Sequence, residues 1–224
     1  TSADLSSLTT VSGERAFASA FRSCTSLTSV DLSSLTTVSG ERALNSAFQD
    51  CTSLTSADLS SLTTASGSYA LAAAFKSCSG LTSADLSSLT TVGIYAFAAA
   101  FDSCTSLTSA DLSSLTTVSG NYAFNAAFNA CTSLTSVDLS SLATVSSTYA
   151  FSSAFSSCDS LTSVSFPALT TSSFGTATNQ FNNMLSGVTG CTVHFPAAIQ
   201  STIENWTSVR NGFGGTNTTV LFDL

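Results

Sequence analysis

Charge is scarce in this chain. Only 8% of its 224 residues are charged, and five Lys and Arg stand against 13 Asp and Glu. A net charge of −8 excludes nucleic acid and anionic membrane surfaces as partners, since both require basic patches. No apolar run approaches the roughly 18–20 residues that a membrane-spanning helix needs, which excludes membrane insertion of that kind. Cysteine pairs two to four residues apart are missing, so a zinc site is not expected. No Asp-rich calcium loop is present either. Gly212-Phe213-Gly214-Gly215 lacks the lysine and the strand-to-helix setting of a phosphate-binding loop. No cofactor and no metal are expected. The chain shows no signal peptide, but residue 1 falls inside a repeat, so it reads as a mature or trimmed product.

What the chain does have is a period. Residues 24–50, CTSLTSVDLSSLTTVSGERALNSAFQD, recur with small changes from Cys51, Cys78, Cys104, Cys131 and Cys158. The spacing is 27 residues except between Cys78 and Cys104, where a residue is lost near Gly93. A fixed period of this length is the signature of a solenoid. Within one unit, Val30-Asp31-Leu32 alternates as a strand with one buried face does. Ala43, Leu44, Ala47, Phe48 and Cys51 then fall on one stripe of a short helix, with Ser39 as its N-cap. A single unit cannot bury its own apolar face, whereas stacked units bury a continuous one, with strands about 4.8 Å apart in a parallel sheet.

The order Cys-x2-Leu-x2-Val-x-Leu-x2-Leu-x2-Val, followed by Ala-Phe and then Phe-x2-Cys, resembles the BspA-like (Treponema-type) leucine-rich repeat over roughly residues 1–170. The chain departs from that family by an extra turn, Ala16-Phe17-Ala18-Ser19-Ala20-Phe21, where the family has one Ala-Phe step. The expectation is an α/β leucine-rich-repeat solenoid with a parallel sheet on the concave side, short helices on the convex side and a C-terminal cap. Residues 1–171 are assigned to the repeats, the first of them incomplete, and 172–224 to the cap. The resemblance implies a non-enzymatic bacterial surface protein, extracellular or on the cell surface. Such proteins adhere to host or neighbouring-cell proteins or glycans. The alternative is a spacer or assembly component that self-associates through the open first repeat.

In a solenoid, candidate sites are columns. Asp4, Asp31, Asp58, Asp85, Asp111 and Asp138 occupy the outward strand position, and Ser165 and His194 continue the line. The column is read either as a solubilising stripe or as a ligand-facing surface for a cation or a basic partner. Asp138, Ser165 and His194 do not make a catalytic triad, because the histidine would have to stand between the other two; no partner for His194 is evident. A second column, Arg15, Arg42, Tyr69, Tyr95, Tyr122 and Tyr149, holds every tyrosine of the chain. It either offers rings to a sugar or partner or covers the neighbouring repeat. Phe21, Phe48, Phe75, Phe101, Phe128 and Phe155 are read as core.

Six of the seven cysteines occupy one repeat position, and the regular column reads as buried thiols rather than disulfides. In the C-terminal part the pattern predicts a helix over 179–185, a strand over 191–195, a helix over 197–206 opened by Pro196, a Gly-rich loop over 211–216 and a strand over 219–224. Asn205 and Asn217 stand in glycosylation sequons of the kind expected by chance in a Thr-rich chain.

Overall fold

A computed structural model describes residues 1–174, 179–201 and 213–224. The chain winds as a parallel β-solenoid of about eight coils: residues 1–23, 24–50, 51–77, 78–103, 104–130, 131–157, 158–190, and the eighth from 191 onward. Each of the first six coils contributes three walls, here called front, side and arch.

The front wall is built from the Ser-x-Asp strands. Ser2–Asp4, Ser29–Asp31 and Ser56–Ala57 form one parallel sheet, and Ser83–Asp85, Ser109–Asp111 and Ser136–Asp138 a second. Ser163–Ser165, Thr192–Phe195 and Thr219–Phe222 form a third. Equivalent residues face each other without slippage, as in Ala84↔Ala110 and Val137↔Ala110. The middle residue points inward, and Val30, Ala84, Ala110 and Val164 are buried. The side wall consists of two-residue strands. Thr10–Val11, Thr37–Val38, Thr64–Ala65 and Thr91–Val92 pair in one sheet, and Thr117–Val118 with Thr144–Val145 in another. This wall is interrupted after Thr91–Val92, where the fourth coil has lost its residue beside Gly93.

The arch overturns the helical expectation. Its N–H groups alternate between two partners. Those of Ala16, Ala18, Ala20, Arg22 and Cys24 close turns onto the carbonyl three residues back, while those of Arg15, Phe17, Ser19, Phe21 and Ser23 donate to Glu41, Ala43, Asn45, Ala47 and Gln49 of the next coil. An α-helix would instead bond every N–H four residues back within its own coil. Every fourth residue is left-handed, as at Arg42, Ser46 and Asp50 or Tyr95, Ala99 and Ser103, with φ between 52° and 62°. A left-handed non-glycine residue costs about 1–2 kcal/mol, which the inter-coil hydrogen bonds and buried rings of the stack offset. Ser39 accordingly caps no helix; its N–H donates to Val11 of the preceding coil. The segment 179–185 is also an arch rather than a helix, with Asn179 and Asn183 left-handed. After Pro196, Ala197–Ile199 is a short 3-10 turn. Gln200 and Ser201 continue it as helix; residues 202–206 of the helix predicted there, including Ile203 and Trp206, the sequon at Asn205, and Asn211 and Gly212 of the Gly-rich loop lie outside the described residues.

The core runs as columns through the coils. Phe21, Phe48, Phe75, Phe101, Phe128 and Phe155 stack at centroid distances of 5.2–5.7 Å. All but Phe21 are fully buried; Phe21 in the first coil is half-buried. Beside them Phe97, Phe124, Phe151 and Phe181 form a second stack. A column of small residues brings the coils together where the arch begins. A Cβ placed on Gly67 would stand 2.2 Å from the Gly40 carbonyl oxygen, so only glycine fits there.

Candidate functional site: the acidic front wall

Strand alternation fixes which side chains reach the front surface. With the Ala or Val inside, the Ser and Asp of each strand face out. The structure aligns Asp4 with Asp31, and Asp85 with Asp111 and Asp138, as register partners. Asp58 follows the end of the short strand Ser56–Ala57, so its group ends there. Ser165 and His194 are register partners in the third sheet.

Each carboxylate is held in place by its own turn. Oδ1 of Asp4, Asp31, Asp58, Asp85, Asp111 and Asp138 accepts the N–H of the serine two residues on, at 2.9–3.0 Å. At Asp4 and Asp58 the same oxygen also accepts the serine hydroxyl at 2.6 Å. These hydrogen bonds, the side-chain one foremost, hold the Asp4 carboxyl below its usual range. The Asp-x-Ser spacing is the sequence signal for this Asx turn. The turn restrains each carboxylate through Oδ1.

Two hollows lie along this wall. One, of about 640 Å³, is lined by Asp4, Asp31 and Asp58 with their serines. The other, of about 430 Å³, is lined by Asp111, Asp138, Ser140, Ser165 and Pro167.

The charges are segregated. Every described lysine and arginine stands on the arch beside an acid: Arg15 with Glu14 at 3.8 Å, Arg22 with Asp50 at 3.7 Å, Arg42 with Glu41 at 2.7 Å and Lys76 with Asp102 at 2.6 Å. The Lys76–Asp102 pair is a small network, in which Asn129 and Ser103 also donate to Asp102. No described lysine or arginine lies on the front wall.

His194 does have a partner, which sequence reasoning missed. Its Nδ1 lies 2.9 and 3.1 Å from the two carboxylate oxygens of Asp223, just beyond the last strand. The missing signal was register: Phe195 pairs with Phe222, which brings residue 223 beside the His194 strand. Among the described residues no hydrogen bond joins Ser165 to His194.

The other columns face elsewhere. Tyr69, Tyr95, Tyr122 and Tyr149 are half-buried at the start of the arches and stack 4.7, 4.8 and 4.9 Å apart. Arg42 covers the outer face of Tyr69 at 5.0 Å. The ring faces between neighbouring tyrosines are therefore occupied by one another. The seven thiols are free. Those of Cys51, Cys78, Cys104, Cys131 and Cys158 each donate to a phenylalanine carbonyl of the neighbouring arch, 29 or 30 residues back, at 3.1 Å. Burial pushes their acidity down, with Cys78 and Cys158 raised to about 12.

A parallel solenoid with buried Leu, Phe and Cys columns and an outward polar strand position is the architecture of leucine-rich repeat proteins. Six copies of the BspA type leucine-rich repeat region match residues 4–126 and 73–186, and the chain belongs to that family. Proteins of this family and fold are protein-interaction or structural modules and are typically non-enzymatic. No curated protein matches the chain. Among solved structures it is similar to a leucine-rich repeat protein from Bacteroides ovatus, with 15% identity, 98% of this chain and 69% of the other covered, and a TM-score of 0.27. Among the described residues no helix is long and apolar enough to cross a membrane.

Proposed function

We propose that the front wall is the recognition surface of a bacterial surface protein, which adheres through it to a basic protein on a host or neighbouring cell. The observation that carries this reading is the charge segregation. Six carboxylates share one face with no described lysine or arginine, while the described lysine and arginines are paired on the arch. Such a face attracts a basic partner and repels an acidic one, and much of its effect is on the association rate. Equivalent groups repeated from coil to coil favour many weak contacts over one deep pocket. The surface location rests on the family, whose members are generally surface-associated in bacteria.

The test is binding of the purified chain to a panel of matrix proteins and glycans at two salt concentrations. The same panel is run with the triple variant Asp58→Asn/Asp85→Asn/Asp111→Asn. Asparagine keeps the Oδ1 acceptor of each turn and removes only the charge. The expected result is binding to a basic protein that weakens with salt and drops in the variant. Binding that ignores both salt and the triple change rejects the front wall as the contact surface. Glycan binding indifferent to salt would move recognition off this wall, and self-association without any partner would favour an assembly role.

A further inference from the structure

The tyrosine column is chemically distinct from the acidic wall, and recognition through that wall makes no use of it. Its four phenols are all the tyrosines of the chain. They occupy one coil position in four consecutive coils. Each is left-handed, with φ between 53° and 57°, and each is pinned by its own backbone. The N–H of Tyr69, Tyr95 and Tyr122 donates to Ile94, Asn121 and Thr148 of the following coil, while their carbonyls accept from Ala72, Ala98 and Asn125. The rings are nearly parallel, at 4°, 2° and 12° between neighbours. Rings mounted alike on repeating backbone present their ortho carbons to each other across one coil spacing, and their edges remain at the surface.

We propose that this column is a site of oxidative cross-linking, where neighbouring phenols couple to dityrosine when a peroxidase with hydrogen peroxide reaches them. Each phenol loses one electron and one proton to give a neutral phenoxyl radical. Two radicals on adjacent rings join their ortho carbons in a new C–C bond, and the two ortho hydrogens move to the oxygens as the rings regain aromaticity. Overall, two tyrosines and one hydrogen peroxide give one dityrosine and two waters. Four rings allow two such links, Tyr69–Tyr95 and Tyr122–Tyr149, each tying one coil covalently to the next. Five of the seven thiols offer no equivalent route, since they lie buried against main-chain carbonyls. A tyrosine is a neutral phenol at neutral pH and enters the reaction as such; burial, and then the flanking Tyr69 and Tyr122, push the Tyr95 pKa further up.

The experiment treats the dilute full chain with a plant peroxidase and hydrogen peroxide. It follows dityrosine fluorescence, intact mass and migration on a denaturing gel. The expected product is a monomer lighter by two hydrogens per link, with a yield independent of protein concentration and with links mapped to adjacent coils. The variant Tyr95→Phe/Tyr149→Phe keeps four stacked rings but leaves Tyr69 and Tyr122 non-adjacent. Its circular dichroism should be unchanged and its intrachain product lost. Links formed only between chains would overturn the proposal. So would a folded double variant that couples as well as the parent, or an equal intrachain yield from chain unfolded in urea.

Discussion

The front wall and the arch repeat at the same coil spacing yet satisfy their backbones in opposite ways. On the front, extended strands send their N–H groups sideways to neighbouring coils and alternate side chains in and out. On the arch, half of the N–H groups stay in their own coil as turns and the other half cross to the next. The front therefore runs on a period of two, and every outward position is free to carry charge. The arch runs on a period of four, in which one residue takes a left-handed conformation, two point inward and the backbone itself comes into contact between coils. The front tolerates change in chemistry and the arch does not tolerate change in volume. That difference fits the placement of the six aspartates on one wall and of Gly67, the tyrosine rings and the lysine and arginine ion pairs on the other.

The most forceful way to break this contrast is alkali. The thiols of Cys51, Cys78, Cys104, Cys131 and Cys158 end their arches and donate to the neighbouring one, and burial raises the pKa to about 12 at Cys78 and Cys158 and, in the eighth coil, to about 11 at Cys191, from an ordinary value of 9.0. Above pH 9 the unfolded chain sheds thiol protons that the folded chain retains. Stability is therefore full below pH 9 and falls as pH rises toward the folded values, by about 1.4 kcal/mol per pH unit for each such thiol. Urea denaturation between pH 8 and pH 11 should show a steep decline. Cys78→Ala/Cys158→Ala should flatten its slope by two thiols' worth, and an unchanged slope would show that these thiols are not buried.

A smaller effect separates the walls directly. Gly67→Ala puts a methyl group 2.2 Å from the Gly40 carbonyl oxygen, and overpacking backbone against backbone should cost about 2–3 kcal/mol. Ser83→Ala changes an outward front position by a similar amount of chemistry and should stay within about 0.5 kcal/mol. Equal urea midpoints for the two variants would contradict the assignment of tight contact to the arch alone.

The sequence was legible wherever a column has one meaning. The 27-residue period, the front strands, the alignment of the aspartates and of Ser165 with His194, and the phenylalanine core all follow from the order of residues in one repeat. The arch was not legible, for a geometric reason. Ala43, Leu44, Ala47, Phe48 and Cys51 would span about 140° of a helix at 100° per residue, which is a normal buried stripe. The same five positions suit a row of four-residue turns equally well. Only the strictness of the fourfold step, repeated as Ala16, Ala20, Cys24 and Phe17, Phe21, favours turns, because a helix would drift off such a step. His194 was misread as unpaired because its partner comes from the register of a strand only four residues long.

Glycine substitution on the arch gives the sharpest discrimination for the smallest change, because the two conformations predict opposite signs. Ala73 and Ala126 occupy the middle left-handed position of their arches, with φ of 53° and 52°. In an α-helix, Ala→Gly costs about 1 kcal/mol per site. In a left-handed residue, glycine removes a clash of about 1–2 kcal/mol and gives back roughly 0.5–1 kcal/mol in unfolded-chain entropy. The arch thus predicts that Ala73→Gly/Ala126→Gly is about 1 kcal/mol more stable than the parent, while a helical arch predicts a loss of about 2 kcal/mol. The sites stand two coils apart and share no hydrogen bond, so their effects should add. A raised urea midpoint with an unchanged slope fixes the arch as turns. A lowered one would restore the helix, and with it the ordinary leucine-rich-repeat division between a strand wall and a helical wall.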